Sequence, residues 1–415
     1  MGSDRSRLLE HEKYEALRAL AATLNGISDL DAMLEAVLSE ARRFVKAEAG
    51  SIYVPDGRRL LFAYSQNDFF SRRDDGDGAA SYKNQELSLV GNSLASYVAR
   101  ENVTLNIPEA YDIPLEAPYR FEPVFDHLTG YLTRSVLTLP LNNARGEVMG
   151  VLQVINRQEE GGETGPFDQD DEELMQIFSS TAAMAMERVQ LIRRMLLRTV
   201  KISELRDPLE TASHAQRVGA LSGFLYEKWA RARQLDSDEI RRNVDHLRLA
   251  AMMHDIGKVG VPDMVLNKPS RLEPAERLEM EKHVLIGYKL FDPCSSDLDQ
   301  MIREVILSHH ERWDGQGYPG WVDPETGRPL PDHLDPEGRV PGKKAEEISI
   351  FGRVTAVADV FDALSSRRVY KEAFDEDLVC QIMLQESGRH FDPELVDLLL
   401  NNLDQAKSIR KRFPE

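Results

Sequence analysis

Two short runs of metal-binding side chains place the strongest constraint on how this chain can fold. His254 and Asp255 are adjacent, and His309 and His310 are adjacent in a second run. Such polar pairs are costly to bury in a plain apolar core. Imidazole nitrogen and carboxylate oxygen together suit Fe, Mn or Zn, and one carboxylate can bridge two ions. The C-terminal half is therefore expected to fold around a metal site.

Composition and charge narrow the classes of protein to which the chain can belong. Its 415 residues are enough for two or three domains. The net charge of −19 disfavours a nucleic-acid polymer as partner, whereas a small phosphodiester would need metal ions and a few Lys or Arg residues to reverse the local field. The chain has two cysteines, no apolar stretch of about 20 residues and no apolar leader. These features predict a cytoplasmic protein without disulfides or membrane contact.

The spacing of apolar residues predicts an α+β fold for the N-terminal half. One helix is predicted over residues 7–24 of an N-terminal segment, residues 1–24, and a second over residues 29–46. Strand-like runs bounded by turn residues follow at residues 50–54, 60–64, 135–141 and 148–155. Helices flanking an antiparallel sheet would form a domain over residues 25–167.

A long helix without Gly or Pro is predicted over residues 168–205, where apolar residues recur among charged ones. A helix of this kind between two domains commonly packs on its copy in a homodimer. At about 1.5 Å per residue it would carry a shift from one domain to the next. The alternative is a helix that packs on the sheet of its own chain.

The N-terminal half resembles a GAF domain over about residues 25–190. The segment from Phe125 to Ser135, followed by a strand, is similar to the central GAF pattern. Cyclic-nucleotide-binding GAF domains carry an Asn-Lys, Phe, Asp-Glu signature, which is met here by Asn156, Arg157, Phe167, Asp171 and Glu172. Arg157 replaces the usual Lys, and we expect an ion pair between Arg157 and Asp171 across the domain.

This resemblance implies a ligand pocket lined by four polar side chains, Ser51, Thr129, Thr133 and Gln153. Their hydroxyl and amide groups suit a base or a phosphate. Cyclic AMP or cyclic GMP is therefore one expected ligand. Another ligand, or a GAF domain that serves only dimerisation, is the alternative.

The C-terminal half, residues 206–415, resembles the HD-GYP branch of the HD phosphohydrolases, which implies an all-α helical bundle. It carries the Gly317-Tyr318-Pro319 triplet that names the branch. It also matches the metal-ligand positions of the family in order, at Glu210, His214, His254, Asp255, His283, His309, His310 and Asp359.

The resemblance implies two transition-metal ions, Fe or Mn, bridged by Asp255. One ion would be held by His214, His254, Asp255 and Asp359. The second would be held by Asp255, His283, His309 and His310. Glu210 would bind a third ion or, alternatively, accept a hydrogen bond from a ligand histidine.

The same resemblance implies a phosphodiesterase that opens cyclic di-GMP to 5′-pGpG, with onward cleavage to GMP left open. Its catalytic residues would be His254, Asp255 and Lys258. Another cyclic dinucleotide, such as 3′,3′-cyclic GMP-AMP, is an alternative substrate. A cyclic dinucleotide sensor or adaptor without turnover is an alternative of a different class. Missing metal ligands would favour this alternative, but none of the family's ligand positions is missing here.

Substrate contacts are implied for Lys258, Asp314, Tyr318, Arg368 and Lys371. Lys258 is expected on the same helix side as His254. Tyr318 would contact substrate, form a docking surface for a partner such as a diguanylate cyclase (GGDEF protein), or serve loop architecture alone.

Two features depart from the HD-GYP pattern. Val369 stands where the family usually has Pro, so the backbone that carries Arg368 is less fixed. Residues 321–347 form an insertion rich in Pro, Gly, Asp and Glu. The insertion is interpreted either as a lid over the site or as a surface elaboration.

Overall fold

The computed structural model describes residues 30–71, 86–159, 161–207, 211–336, 338–366 and 374–414, together with residues 18, 21, 22, 24 and 27. The chain divides into two compact units, Met1–Leu191 and Ile192–Glu415. Most of the helix predicted over residues 7–24 lies outside the described residues, although positions 18, 21, 22 and 24 are helical.

An antiparallel sheet forms the centre of the first unit, with the strand order β3-β2-β1-β6-β5-β4 and β7 paired to β6. Its strands are β1 (Ala47–Asp56), β2 (Arg59–Asn67), β3 (Glu86–Ser88), β4 (Leu105–Ile107), β5 (Val136–Asn142), β6 (Val148–Gln158) and β7 (Thr164–Gly165). The four predicted strands are confirmed as β1, β2, β5 and β6.

The two faces of this sheet have different roles. Because side chains alternate along a strand, Leu137 and Leu139 of β5 join the core, whereas Gln153 of β6 lies beside a cavity on the other face. The helices of this unit are α1 (Leu30–Phe44), α2 (Asp68–Ser71), α3 (Leu94–Glu101) and α4 (Val124–Thr129). Met33 and Val37 of α1 are fully buried in the core, so the helix predicted over residues 29–46 is confirmed.

A single helix, α5 (Gln169–Glu204), confirms the helix predicted over residues 168–205. The boundary between the two units falls within it, after Leu191. Apolar side chains along α5 remain exposed at Ile177, Met184, Leu191, Met195 and Ile202. Their spacings of seven, seven, four and seven residues are those of a coiled-coil seam.

The described residues of the second unit contain helices and turns but no strand longer than an isolated bridge. Its helices are α6 (Ala212–Ala232), α7 (Ser237–Ala251), α8 (Asp263–Leu266), α9 (Pro274–Glu281), α10 (His283–Leu290), α11 (Asp297–Ser308), α12 (Ile350–Ser365), α13 (Glu376–Gln385), α14 (Pro393–Asn401) and α15 (Leu403–Lys411). The predicted fold class, an α+β unit, a long helix and an all-α unit, is confirmed. Along the described residues, every helix falls short of the length or the hydropathy that a bilayer crossing requires.

Candidate metal centre and ligand cavity

Seven of the predicted metal ligands gather into two adjacent groups. The first group is Asp255, His283, His309 and His310, and the second is His214, His254 and Asp359. Within each group, one ligand atom per residue lies within 4.8 Å of the others. This distance allows each group to surround one ion, which is the division that the HD-GYP resemblance implies.

Asp255 lies between the two groups. Its Oδ1 atom is 3.2 Å from Nε2 of His283 and 3.5 Å from Nε2 of His309. Its Oδ2 atom is 3.4 Å from Nε2 of His254, in the other group. The two carboxylate oxygens therefore face different groups, as a bridging carboxylate requires.

In the second group, Oδ1 of Asp359 is 3.3 Å from Nε2 of His214 and 4.0 Å from Nε2 of His254. His214 lies in the first turn of α6, where the Thr211 side chain accepts a hydrogen bond from its backbone amide. Asp359 lies on α12, which packs against α6. Packing of these two helices brings the two side chains together.

Hydrogen bonds at the opposite ring nitrogen orient the imidazoles. Nδ1 of His254 donates to the Ala251 carbonyl at 2.8 Å, and Nδ1 of His283 donates to the Met280 carbonyl at 2.8 Å. Nδ1 of His309 lies 3.0 Å from a carbonyl of α11. With the proton on Nδ1, each Nε2 carries the lone pair that binds a metal ion.

The donor set fits transition-metal ions. Nε2 of His283 and of His309 are buried and make no hydrogen bond of acceptable geometry to any described residue. Burying a polar nitrogen without a partner is costly. A cation at this position would satisfy both nitrogens together with Oδ1 of Asp255, so we conclude that the residues present fit the ions that the fold implies.

The protonation states also match those of metal ligands. Burial raises the pKa of Asp359, but its hydrogen bond with His214 and the nearby His254 outweigh burial and lower the pKa to about 2. Burial lowers the pKa of His309. Burial and the neighbouring His309 ring together lower the pKa of His310. At neutral pH the carboxylate is ionised and these imidazoles are neutral, which are the forms that bind metals.

A glycine permits the close approach of two of the ligand-bearing segments. The 3₁₀ turn Ile256–Gly260 follows His254 and Asp255 and packs on α10, which begins at His283. A Cβ atom at Gly257 would lie 1.9 Å from the His283 carbonyl oxygen. Only glycine therefore allows Asp255 and His283 to face the same ion site.

A buried carboxylate that the sequence analysis did not select supports the centre. Asp362 is fully buried, and its Oδ2 atom is 2.9 Å from Nδ1 of His214. It also accepts hydrogen bonds from Arg217 at 2.8 Å and Arg410 at 2.7 Å. A carboxylate behind a ligand histidine fixes the ring and its tautomer. Its position one helical turn after Asp359 on α12 is the sequence signal that could have identified it.

Comparisons with known proteins agree with this geometry. A family model described as "HD domain" matches residues 211–364, and one described as "GAF domain" matches residues 29–186. The chain combines a GAF domain with an HD domain. The Gly317-Tyr318-Pro319 triplet assigns the HD domain to the HD-GYP branch, so the predicted order of domains is confirmed.

Relatives of the chain include several named phosphodiesterases. It is 36% identical over 211 residues to a cyclic di-GMP phosphodiesterase of Thermotoga maritima, covering 51% of this chain and 49% of the relative. It is 34% identical over 221 residues to the cyclic di-GMP phosphodiesterase response regulator RpfG of Xanthomonas campestris, covering 53% and 50%. It is 32% identical over 253 residues to the 3′3′-cGAMP-specific phosphodiesterase 2 of Vibrio cholerae, covering 59% and 42%. The chain thus spans about half or less of the length of these relatives.

Lys258 of the HD domain lies beside the predicted ligands but not on the predicted helix. It belongs to a 3₁₀ turn rather than to a continuation of α7, so the helix that was expected to carry both His254 and Lys258 is not found there. Its ammonium nitrogen is 2.7 Å from Oδ2 of Asp255 and 3.3 Å from Oδ2 of Asp207. The lysine therefore directly contacts the carboxylate that lies between the two groups.

The Gly-Tyr-Pro turn packs on the metal ligands. The ring of Tyr318 stacks on that of His310 with centroids 4.8 Å apart, and the Tyr318 amide donates to the His310 carbonyl at 3.2 Å. Asp314 instead accepts hydrogen bonds from Arg312 and from the Gln316 amide, so both of its oxygens serve the turn. Tyr318 is thus beside the centre, whereas the geometry does not favour Asp314 as a substrate contact.

One buried carboxylate, that of Glu311, holds the chain near both ends of the insertion over residues 321–347. Glu311 accepts a hydrogen bond from the Gly320 amide at 2.7 Å and one from the Lys343 amide at 2.9 Å. Within the insertion, the rings of Trp321 and His333 stack with centroids 3.8 Å apart. The insertion therefore has an internal structure and a fixed base, and its role as a lid stays a prediction.

Three predicted site residues, Glu210, Arg368 and Lys371, lie outside the described residues, as does Val369. A third ion bound by Glu210 therefore stays a prediction, as does docking of a diguanylate cyclase at the Gly-Tyr-Pro turn.

The GAF domain encloses a cavity of about 670 Å³ among its described residues. Three of the four predicted pocket residues, Ser51, Thr133 and Gln153, line it. Thr129 does not, because it lies at the end of α4, where its hydroxyl donates to the Phe125 carbonyl at 2.8 Å. A volume of this order is typical of small-molecule sites.

Several polar groups that line this cavity already form hydrogen bonds or ion pairs within the protein. Asp126 accepts hydrogen bonds from the Thr133 hydroxyl at 2.9 Å and the Thr133 amide at 2.6 Å. The Gln153 amide donates to the Thr138 hydroxyl at 3.1 Å. Arg42 forms an ion pair of 2.6 Å with Asp68. These pairs occupy polar groups that a ligand would otherwise contact, so they do not point to one ligand class.

The GAF signature residues hold the domain together rather than line the cavity. Arg157 pairs through Nε with Asp171 at 2.6 Å, as predicted, and through Nη2 with Asp168 at 3.1 Å. The Asn156 side chain accepts from the Arg134 amide at 2.7 Å. Phe167 is buried in the core, and Glu172 accepts a hydrogen bond from Asn106 at 3.3 Å. The signature residues thus stabilise the domain, and the guanidinium group of Arg157 forms ion pairs with two carboxylates.

Proposed function

We propose that the chain is a metal-dependent phosphodiesterase that hydrolyses cyclic di-GMP to 5′-pGpG. The observation that carries this proposal is the placement of Asp255 between two buried groups of ligands, within a domain whose relatives are named for this activity. A complete ligand set favours turnover over a sensor without catalysis. In the reaction, water attacks phosphorus, the bond from phosphorus to the 3′ oxygen breaks, and the 3′ oxygen gains a proton.

His214, His254, Asp255 and Asp359 would hold one ion, and Asp255, His283, His309 and His310 the other. Ions held there, proposed to be Fe or Mn, would supply Lewis-acid chemistry: they would lower the pKa of a water molecule and offset negative charge on the phosphate oxygens. Asp255 and the hydrogen-bonded imidazoles keep the two positions at a fixed separation. Tyr318, stacked on His310, limits the access of solvent to that side.

Cationic side chains would neutralise the substrate. Lys258 lies beside Asp255 and is the described residue best placed to contact a phosphate oxygen. Arg368 and Lys371 are proposed to bind the second phosphate, on the strength of the sequence resemblance. Such local positive charge is needed in a chain whose net charge is −19.

The direct test is hydrolysis by full-length protein loaded anaerobically with Fe or Mn, with metal content measured on the same sample. We expect 5′-pGpG to accumulate, and a time course then shows whether GMP follows. Loss of turnover on chelation and recovery on adding the metal would support the proposal. Protein that contains both ions and binds cyclic di-GMP but leaves it uncut would refute it.

A second candidate substrate is 3′,3′-cyclic GMP-AMP, because one relative carries that specificity in its name. The two substrates differ only at one base, and the metal centre contacts phosphate rather than base. A comparison of kcat/KM for the two cyclic dinucleotides under identical loading decides between them.

We infer that α5 pairs with its copy in a homodimer, supported by its exposed apolar seam. Met184→Glu places a charge in this seam, so we expect it to shift the mass measured by light scattering from dimer to monomer. Glu187→Lys, a charge change on the same helix outside the seam, is the control. A monomeric wild-type chain would contradict this inference.

Regulation by a cyclic nucleotide in the GAF cavity is likewise a proposal, supported by the size and the partly polar lining of the cavity. Titration of the full chain with cyclic AMP and cyclic GMP by calorimetry tests it. Heat of binding that disappears in a Thr133→Val variant would support a ligand in this cavity. Absence of heat and of a thermal shift would leave the GAF domain with a dimerisation role.

A further inference from the structure

The insertion over residues 321–347 reaches from the Gly-Tyr-Pro turn to two helices that carry metal ligands. Glu311 holds the chain near both of its ends. Between these ends the Leu330 amide donates to the Trp321 carbonyl at 2.9 Å, which closes a hairpin. Residues 323–328 form the tip of this hairpin, and the tip makes the contacts that distinguish the insertion from a free surface loop.

The hairpin tip contacts α11 through an ion pair. Oε1 of Glu325 is 2.7 Å from Nη2 of Arg303, whose side chain is only 12% exposed. Helix α11 ends at Ser308, directly before the ligands His309 and His310. At about 1.5 Å per residue, Arg303 lies roughly 9 Å along the helix from His309. The tip is therefore attached to the helix that delivers two ligands.

The same tip contacts α10. A Cβ atom at Gly327 would lie 3.2 Å from Cδ1 of Leu285, so the tip lies against the first turn of the helix that begins at the ligand His283. The guanidinium carbon of Arg303 is 3.7 Å from the centroid of the Tyr288 ring, also on α10. One arginine thus joins the hairpin tip, α10 and α11.

We propose that the insertion is a clamp that holds α10 and α11 together and so sets the separation of the ligands His283, His309 and His310. A metal site keeps its affinity only when the packing around the ligands fixes their positions. Packing of α10 on α11 supplies part of this support, and the clamp adds a connection at the far ends of the ligand-bearing turns. A clamp concerns the retention of an ion, so it goes beyond the proposed phosphodiesterase function.

The experiment measures the rate at which a chelator removes Mn from the loaded, full-length protein. Glu325→Gln removes the charge of the tip while keeping its size. Replacement of residues 323–328 by Gly-Gly removes the tip altogether and retains Val322 and Pro329, which pair across the hairpin. We expect release to be about two- to fivefold faster in Glu325→Gln, the range of one partly exposed ion pair, and faster still after the replacement.

Glu376→Gln is the matched control. Glu376 of α13 forms a partly exposed ion pair of 3.1 Å with Lys407 of α15, and neither helix carries a described metal ligand. This variant is expected to release Mn at the wild-type rate. Equal acceleration in Glu325→Gln and Glu376→Gln would show that metal retention follows general stability, and would overturn the proposal. Release at the wild-type rate after replacement of the tip would overturn it as well.

Hydrogen exchange in the metal-free protein separates a clamp on two helices from a general loss of stability. We expect replacement of the tip to increase exchange severalfold in α10 and α11. Exchange should stay unchanged in α6 and α12, which carry His214 and Asp359. Faster exchange in all four helices, or in none of them, would contradict the clamp.

Hydrolysis kinetics distinguish the clamp from a lid and from the proposed function. A changed KM for cyclic di-GMP with an unchanged rate of Mn release would identify the insertion as a lid and overturn the clamp. Faster Mn release from Glu325→Gln, in a protein whose wild type cuts no cyclic dinucleotide, would support the clamp and refute the proposed function.

Discussion

The metal centre of the HD domain and the cavity of the GAF domain are both lined by buried polar groups, but these groups are arranged in opposite ways. In the metal centre, ring nitrogens of His283 and His309 point at a common space without a hydrogen bond to described residues. In the GAF cavity, Asp126 and Gln153 are paired with neighbouring hydroxyls. The metal centre thus leaves buried ring nitrogens unpaired, whereas these polar groups of the cavity already have protein partners.

This difference explains why the two ligands can be inferred to different depths. Unpaired donor atoms of known type and spacing specify a cation and its coordination. A cavity whose polar groups satisfy one another specifies only size and general polarity. The first site therefore reveals its ligand class from geometry, and the second requires a binding experiment.

The largest effect is expected for Asp255→Ala, which removes the carboxylate that lies between the two groups of metal ligands. Because one carboxylate serves both groups, we expect loss of both ions and of activity by more than about a thousandfold. Elemental analysis with a hydrolysis assay measures this. Asp314→Asn, whose carboxylate serves only the turn, should retain both ions. Unchanged metal stoichiometry in Asp255→Ala would contradict the bridging role.

A smaller effect is expected for Asp362→Asn, which weakens the orientation of His214 without removing a ligand. Loss of such a supporting carboxylate typically reduces metal affinity by about 10- to 100-fold. Competition with a chelator of known affinity measures the change. The matched control is Asp392→Asn, since Asp392 is also buried and paired with an arginine, Arg353, but contacts no ligand. Equal losses of metal affinity in both variants would show that Asp362 acts through general stability.

Metal removal should affect the two regions unequally. When the free concentration of a metal ion is 100 times its dissociation constant, binding of that ion stabilises the folded state by about 2.7 kcal/mol. We therefore expect chelation to increase hydrogen exchange in α10 and α11 and to leave β1 and β6 unchanged. Faster exchange in the sheet to the same extent would mean that the two regions do not differ in their dependence on a ligand.

The smallest effect is expected for the GAF signature. Arg157→Ala removes a partly exposed ion pair worth about 1 kcal/mol, which hydrogen exchange at β6 in the full chain would detect. Arg157→Lys should cost less, because lysine can pair with Asp171 but cannot also reach Asp168 in the same geometry. If Arg157→Lys costs as much as Arg157→Ala, the fork of the arginine carries the whole contribution.

The fold, and the gathering of the candidate metal ligands into two groups, could be predicted from the sequence to a large degree, for a physical reason. Strands β1, β2, β5 and β6 and helix α5 are long and strongly periodic, so local pattern and tertiary packing agree. The ligands could be assigned because histidine pairs and neighbouring carboxylates have few uses in a core. His214 and Asp359 needed the family order, since each alone resembles an ordinary helix residue.

The parts that sequence reasoning missed depend on contacts between distant segments. Lys258 was expected to follow α7, but the helix ends at Ala251 and a 3₁₀ turn redirects the lysine. Asp362 reaches His214 only because helix α12 packs against helix α6. Thr129 was placed by family position, and a hydrogen bond within α4 turns it away from the cavity. The spacing of residues along one segment does not predict contacts with residues from another segment.

The carboxylate of Glu311 also has a practical consequence for protein engineering. Because it fastens both ends of the insertion beside His310, the chain between Gly320 and Lys343 can change in length or content while its anchor points stay in place. The exposed turn near Gly338 is thus a natural insertion point for a fluorescent or affinity label. A reporter there would leave the two hydrogen bonds to Glu311 and all of the metal ligands unchanged.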